Sequence, residues 1–223
     1  YGDWVGGNSS GSAYVFHRDG TTWTEQAKLV AADGGTNDRF GYAVSISGDY
    51  AVIGAYGDWV GGNSSGSAYV FHRNETTWTE QAKLVASDSA QNGYFGTSVS
   101  ISGDYAVVGA YGDGGDWSGA AYVFHHDGTT WTEQTKLVAD DGSADDYFGV
   151  SVSISGDYAV IGAYGYDNGP MEDTGAAYVF HRDGTTWTEQ ALLVASSPTC
   201  WGEFGVSVAI SGDYAVIGED SGQ

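Results

Sequence analysis

One pattern recurs four times in this chain of 223 residues and limits the folds that the chain can adopt. The pair Phe-Gly begins at Phe40, Phe95, Phe148 and Phe204, so successive copies lie 55, 53 and 56 residues apart. The segments Ala-Tyr-Val-Phe-His and Thr-Trp-Thr-Glu-Gln recur with the same period. A repeat of this length, made of strand-like segments, is typical of a radial array of small β-sheets.

Each copy contains four predicted strands. In the copy that begins at Phe148, residues 151–155 alternate small polar and apolar side chains, as a pleated strand requires. The second and third strands are predicted over 158–163 and 177–181, with a long Gly-, Asp- and Asn-rich loop between them. Asp183-Gly184 favours a tight hairpin into a fourth strand over 186–194. We therefore predict an all-β fold, a β-propeller of four-stranded antiparallel blades.

The phase of the repeat predicts a single propeller domain over 1–223 with one blade split between its two ends. Complete repeats are expected at about 39–93, 94–146 and 147–202, and the split blade combines 203–223 with 1–38. Pairing of the two halves within one chain would close the ring and remove exposed sheet edges. The alternative is exchange of half-blades between chains, which builds a ring or a fibre.

Composition narrows the choice of partners. The net charge of −22 repels phosphates, so nucleic acid and anionic lipid surfaces are not expected as partners. No apolar run approaches the roughly 20 residues that cross a bilayer, so membrane insertion is not predicted. The single cysteine, Cys200, excludes an internal disulfide. The 36 glycines and only 2 prolines fit a turn-rich all-β protein with a substantial core.

These repeats resemble the FG-GAP repeat of integrin alpha subunits and many secreted microbial proteins. The resemblance rests on Phe-Gly, the hairpin after it, and the Gly-Ala-Tyr triplets that begin at Gly54, Gly109 and Gly162. It implies a propeller, usually of seven blades, that acts outside the cell. Two features differ: tyrosine replaces the proline of Gly-Ala-Pro, and the first hairpin lacks the Asp-rich calcium loop of integrin-like copies.

Strand topology predicts that one propeller face carries all the long loops, so binding is expected there. Tryptophan rings beside carboxylates are typical of carbohydrate sites, because the ring covers the apolar face of a sugar. In the alternative interpretation, each indole covers the end of a blade. The candidate ligand-binding residues are Asp3, Trp4, Asp58, Trp59, Asp116, Trp117 and Trp201.

The loop Asp-Asp-Gly-Ser-Ala-Asp-Asp over 140–146 is the densest group of acids. Calcium takes six to eight oxygen ligands, and Asp140, Asp141, Asp145 and Asp146 could supply several of them. The alternative is that these are solvated acidic loops, since no segment has the spacing of an EF-hand. Calcium is thus the one cofactor that the sequence suggests.

The sequence contains no set of side chains that we can assign to catalysis, so we predict that the protein is not an enzyme. Asn8, Asn63 and Asn74 begin glycosylation acceptor patterns. We expect an extracellular adhesion, recognition or assembly module that binds a protein or a glycan at the cell surface, or copies of itself. The alternatives are a structural subunit assembled by half-blade exchange between chains and a lectin.

Overall fold

The computed structural model describes residues 4–5, 8–60, 63–89 and 91–220, and every regular element in them is a β-strand. The first ten strands are β1 (Trp4–Val5), β2 (Asn8–Ser9), β3 (Ala13–Asp19), β4 (Thr22–Leu29), β5 (Val44–Ser47), β6 (Tyr50–Ala55), β7 (Trp59–Val60), β8 (Asn63–Ser64), β9 (Ser67–Asn74) and β10 (Thr77–Leu84). The others are β11 (Ser98–Ser102), β12 (Tyr105–Ala110), β13 (Ala120–His126), β14 (Trp131–Leu137), β15 (Ser151–Ser155), β16 (Tyr158–Ala163), β17 (Ala176–Asp183), β18 (Thr186–Leu193), β19 (Ser207–Ser211) and β20 (Tyr214–Gly218).

Three antiparallel sheets of four strands form the body of the array. Blade one consists of β5, β6, β9 and β10, blade two of β11 to β14, and blade three of β15 to β18. Two further sheets of two strands flank them: the N-terminal hairpin, β3–β4, and the C-terminal hairpin, β19–β20. The short ladders β1–β2 and β7–β8 lie within loops. The predicted all-β fold and its four-stranded blades are therefore confirmed.

Tight turns join the strands where the sequence predicts them. Asp183 pairs with Thr186, and Gly184 between them has a φ of 61°, which glycine adopts without strain. In blade one, Asn74 pairs with Thr77, and the left-handed residue is Glu75, with a φ of 57°. The hairpin thus survives the loss of Asp-Gly, although a non-glycine residue takes the left-handed conformation.

Each blade buries one face against the blade before it. Between blades two and three, Val107 and Val123 pack in one apolar cluster with Val152, Ile154 and Phe180. The other interfaces bury equivalent residues. Fully burying one such side chain contributes about 2 kcal/mol, so the sheets depend on their neighbours for stability. The first strands of consecutive blades also contact one another, which places them at the inner side of the array.

The Phe-Gly pair brings two backbones into direct contact at each interface. Within blade three, the Gly149 amide donates to the Gly162 carbonyl at 2.9 Å; across the interface, the Ser98 hydroxyl of blade two donates to the Gly149 carbonyl at 2.8 Å. A Cβ atom on Gly109 would overlap the Gly149 carbonyl oxygen. The Gly-Ala-Tyr glycine is therefore required because the next blade approaches its backbone closely.

The two halves of the predicted split blade, 203–223 and 1–38, are not paired with each other in the part of the chain that the structure describes. Within the described ranges, the N-terminal and C-terminal hairpins are separate sheets, and no ladder joins β20 to β3. Each hairpin packs against the blade next to it in sequence, with three complete blades between them. The array is consequently an open arc.

Among the residues that the structure describes, no helix is long and apolar enough to span a membrane.

The close backbone contact predicts an asymmetric response to Gly→Ala substitutions. Gly109→Ala must displace the Gly149 carbonyl, so we expect a loss of about 2 kcal/mol in unfolding free energy, measured by urea titration. The matched control is Gly218→Ala, where the side chain of Ser207 is the only obstacle among the described residues. Equal losses at both positions would contradict this account of the interface.

Candidate functional site

The loops of one face are bonded together in pairs. The Tyr147 amide donates to the Trp117 carbonyl at 2.9 Å, which joins the loop before blade three to the loop between β12 and β13. The Asn92 amide donates in the same way to the Ser64 carbonyl at 2.9 Å, and the Trp201 amide to the Glu172 carbonyl at 3.1 Å. The two loop classes that the topology assigns to one side therefore meet there. We call this side the loop face.

A row of seven aromatic side chains crosses the loop face and spans consecutive blades. Tyr94 is stacked on Tyr111 with 5.2 Å between ring centroids, and Tyr147 is stacked on Tyr164 at 4.7 Å. The Trp117 ring lies 5.7 Å from Tyr94 and 6.0 Å from Tyr147, so it connects the two pairs. We call this set the aromatic row; its members are Tyr42, Tyr56, Tyr94, Tyr111, Trp117, Tyr147 and Tyr164.

This row was not predicted from the sequence, although five of its tyrosines stand at two repeated positions of the blade. Tyr56, Tyr111 and Tyr164 stand where the related repeats have proline, directly after the second strand of each blade. Tyr94 and Tyr147 precede Phe-Gly and have positive φ angles of 53° and 57°. This left-handed backbone is uncommon for a bulky residue. The two sets come from different loops, so only the fold shows that their rings meet.

The row lies in a negative electrostatic environment. Burial raises the pKa of the Tyr147 phenol, and the charges of Asp145 and Asp173 raise it further. Burial also raises the pKa of Tyr164 to about 12, with smaller contributions from neighbouring tyrosines, Glu203 and Asp173. Because these acids disfavour the phenolate, the same field favours a cation placed over the rings.

One cation of the chain itself already lies on the row. The Arg39 guanidinium is 5.5 Å from the centroid of the Tyr56 ring, within the range of a cation–π contact. Arg39 occupies the position before Phe-Gly that Tyr94 and Tyr147 hold in the following blades. The first blade thus places a guanidinium where the others place an aromatic ring.

Below the loop face, blade one contains a cluster of a tyrosine, a lysine and two acids. The Lys83 ammonium lies 2.6 Å from both Asp33 Oδ2 and Asp58 Oδ2, and Tyr69 donates its hydroxyl to Asp33 at 2.7 Å. Burial of the Tyr69 phenol and its bond to Asp33 raise the pKa of that group well above its usual range. Asp58 is buried and also accepts from Ser67. Asp58 is therefore an interior residue, and its role in ligand binding stays a prediction.

The same cluster recurs in blade two and is replaced in blade three. The Lys136 ammonium lies 2.7 Å from Asp88 and 2.5 Å from the buried Asp113, and Tyr122 donates to both acids. In blade three, the lysine position is Leu192 and the Asp113 position is Tyr166. Cation and buried anion are lost together, which indicates that each is needed to compensate for the other.

The four acids predicted to bind calcium are not gathered around a common point. Tyr178 donates to Asp141 at 2.9 Å, and the Ser143 amide donates to the buried Asp146 at 2.7 Å. Asp140 and Asp145 are exposed, with backbone amides that donate to Glu189 and to the Asp116 carbonyl. Within the described ranges, no three His, Cys, Asp or Glu side chains are placed to hold a metal ion. Calcium binding therefore has no support from these residues and stays a prediction.

Among the remaining predicted residues whose side chains the structure describes, only Trp117 belongs to the aromatic row. Trp117 joins the aromatic row and Asp116 beside it is exposed, whereas Trp59 and Trp201 are exposed without a described contact to the row. Asn74 is exposed at the end of β9. Asp3 lies outside the described residues, as do the side chains of Trp4, Asn8 and Asn63. Glycosylation stays a prediction at all three asparagines.

Comparison with known families confirms the resemblance noted in the sequence. The FG-GAP repeat model matches residues 23–71, 78–124, 131–180 and 187–222. These segments cover most of the chain, and the protein therefore belongs to the FG-GAP repeat family. The fold defines a β-propeller of the kind that serves as a protein-interaction module, and FG-GAP repeats occur in extracellular proteins generally.

No curated protein matches the sequence. Among solved structures, the chain is similar to Sqt1 of Saccharomyces cerevisiae, at 12% identity and a TM-score of 0.46. That match covers 75% of this chain and 39% of the Sqt1 chain.

Blade three supplies a natural control for the buried ion pair. Lys136→Leu leaves Asp113 buried without its cation. We expect a loss of about 2 kcal/mol in unfolding free energy, a value between those typical of exposed and of fully buried ion pairs. Adding Asp113→Tyr reproduces the Leu192 and Tyr166 combination and should recover most of the loss. Urea titration of both variants measures this. A double variant less stable than Lys136→Leu alone would contradict the compensation.

The raised pKa of Asp146 predicts that the stability of the fold decreases as the pH rises. Burial raises the pKa of this carboxyl from 3.8 to about 6, so the folded state holds the proton more tightly than the unfolded state. The stabilisation is present below pH 4 and lost as the pH rises to 6. Asp146→Asn cannot ionise and should exceed the wild type by about 2 kcal/mol at pH 7 and by almost nothing below pH 4.

Thermal and urea unfolding from pH 3 to pH 8 test this difference. The matched control is Asp116→Asn, because Asp116 is exposed and its bonds to Ser118 lower its pKa. That variant should gain no stability between pH 4 and pH 6. A difference between Asp146→Asn and the wild type that does not change with pH would rule out titration of Asp146.

Proposed function

We propose that this protein is a non-enzymatic recognition module that acts outside the cell and binds a cationic segment of another protein along the aromatic row. The observation that carries the proposal is the row itself, seven rings in continuous contact across the loop face. Family membership supports a role in protein interaction. The adhesion role expected from the sequence is one form of this activity.

The geometry of the row favours an extended ligand. Its rings come from three consecutive blades, from Tyr42 and Tyr56 before blade two to Tyr147 and Tyr164 in blade three. Centroid distances between 4.5 Å and 6.2 Å leave no gap between neighbouring rings. Aromatic side chains provide large contact areas at low entropic cost, which suits a recognition surface.

The negative charge of the protein favours a cationic ligand. The net charge of −22 repels anionic partners and attracts cationic ones. Asp145, Asp173 and Glu203 act on the tyrosines of the row, and Arg39 shows that a guanidinium fits against it. A peptide with arginine or lysine side chains would combine cation–π contacts with attraction to these acids. A neutral glycan would use the ring faces alone.

An arginine- and lysine-rich peptide is the probe for this surface, with a neutral glucose oligosaccharide as the competing class. We expect calorimetric titration to show peptide binding that weakens with salt, because the acids contribute to it. Tyr147→Ala and Trp117→Ala should each weaken binding about tenfold, the loss of one partly desolvated cation–π contact. Tyr147→Phe keeps the ring and should retain the affinity.

Trp59→Ala distinguishes the row from the site expected from sequence. Trp59 is an exposed tryptophan in a loop between strands two and three but is not part of the row, so its removal should leave peptide affinity unchanged. If only Trp59→Ala abolished binding, the isolated tryptophans and not the aromatic row would form the binding site. Binding of the oligosaccharide without the peptide would replace the proposed partner with a glycan.

A further inference from the structure

The two ends of the arc expose apolar side chains whose counterparts inside the arc are buried. On the N-terminal hairpin, Phe16 is 52% exposed and Trp23 is 63% exposed, whereas their counterparts in blade three, Phe180 and Trp187, are 4% and 9% exposed. On the C-terminal hairpin, Val216 is 71% exposed. The ends are therefore two halves of the same kind of interface.

Inside the arc, side chains of the third and fourth strands of a blade lie on the preceding blade. In blade three, the Arg182 guanidinium lies 4.0 Å from the ring centroid of Tyr105 in blade two and forms an ion pair with Asp157 of its own blade. Trp187 donates its indole N–H to Gln134 at 3.0 Å. The corresponding tryptophans of blades one and two bond in the same way to the preceding strands.

The other end of the arc has an open groove where such side chains would lie. The groove has a volume of about 280 Å³ and lies between blade three and the C-terminal hairpin. We call it the end groove, and the lining residues that matter here are Tyr158, Val160, Val179, Asp213 and Tyr214. Tyr158 corresponds to Tyr105, and Asp213 corresponds to Asp157. The groove thus has the residues that Arg182 contacts one blade earlier.

We propose that the N-terminal hairpin of one chain binds in the end groove of a second copy and completes a fourth blade there, with β3 of one copy paired to β20 of the other. Such pairing adds strands to an exposed sheet edge and is heterologous, so it builds a ring or a filament. This inference does not depend on the aromatic row.

The internal repeats specify the register of the new ladder. Val160 pairs with Val179 in blade three, so Val216 is expected opposite Val15 of the other copy. Beside this pair, Val44 and Ile46 of the incoming copy, both more than half exposed, would cover Val216, as their counterparts cover the second strand of the preceding blade inside the arc.

Charge and hydrogen-bonding groups also match across the proposed junction. Arg18 and Asp213 occupy the positions of the ion pairs Arg73–Asp49 and Arg182–Asp157, and neither has an ion-pair partner among the described residues. Trp23 would donate to the exposed Gln190, as the other strand-four tryptophans do to the glutamines before them.

One position of the junction departs from the repeat. Inside the arc, serine hydroxyls accept from the backbone amide of an isoleucine in the next blade, as Ser153 does from Ile210 at 3.1 Å. The equivalent of Ser153 in the C-terminal hairpin is Ala209, which offers no oxygen to Ile46 of an incoming copy. The junction is therefore expected to be weaker than the internal interfaces.

Sedimentation and light scattering over a range of protein concentrations test the proposal, at raised salt to screen the repulsion between acidic copies. Mass should increase from one chain to two or more with concentration. Val216→Asp should abolish association without changing the unfolding midpoint, because Val216 is exposed in the single chain. Ala209→Ser should strengthen association about fivefold by one added hydrogen bond, a gain that misfolding cannot explain.

Two controls accompany these variants. Val138→Asp changes an exposed valine after the outermost strand of blade two and should leave association unchanged. Arg18→Asp and Asp213→Arg should each weaken association about fivefold by placing like charges together, and the double variant should restore it. Restoration supports the predicted register.

Three results would overturn the proposal. A wild type that stays one chain at every concentration, with an unfolding midpoint lowered by Val216→Asp, would show that the hairpins pair within one chain. A single chain whose midpoint Val216→Asp does not change would show that the ends do not pair with each other at all. Association that Val216→Asp leaves intact would place the contact elsewhere on the surface.

Discussion

The close approach of two backbones at each interface is the contact on which the rest of the architecture depends. Gly149 of one blade lies against Gly109 of the blade before it, so neither position has room for a side chain. This contact sets the distance at which Val107 and Val123 meet Val152 and Ile154. A blade without a neighbour would leave those side chains in water. The unit of stability is therefore the pair of adjacent blades and not the single sheet.

The packing of each blade on its neighbour also fixes the positions of the loops on the loop face. The Phe-Gly segment that joins two blades also bonds the loops on either side of the interface, as Phe148 does to Ser118. The rings of Tyr147 and Tyr164 are held by the same packing that stabilises the blades. The loops of this face are therefore held together by backbone hydrogen bonds of the chain itself.

The fold could be predicted from sequence because the repeat samples it several times. Alternation in 151–155 and Asp183-Gly184 predicted the strands and the hairpin of blade three, and both are present. The site could not be predicted to the same degree. Asp58 lies in an acidic loop and was predicted to bind a ligand at the surface. In the structure it is buried and forms an ion pair with Lys83 of β10. The aromatic row joins residues of different loops, and sequence order carries no signal for such contacts.

The repeats also act as an internal comparison, since equivalent positions share one backbone environment and differ only in their neighbours. Lys136 and Asp113 change together to Leu192 and Tyr166, which is what a buried pair requires when one charge is lost. Ser153 changes to Ala209 only in the copy that has no following blade in this chain. Departures from the repeat therefore locate the positions where the surroundings differ: the interior of blade three and the open end beside it.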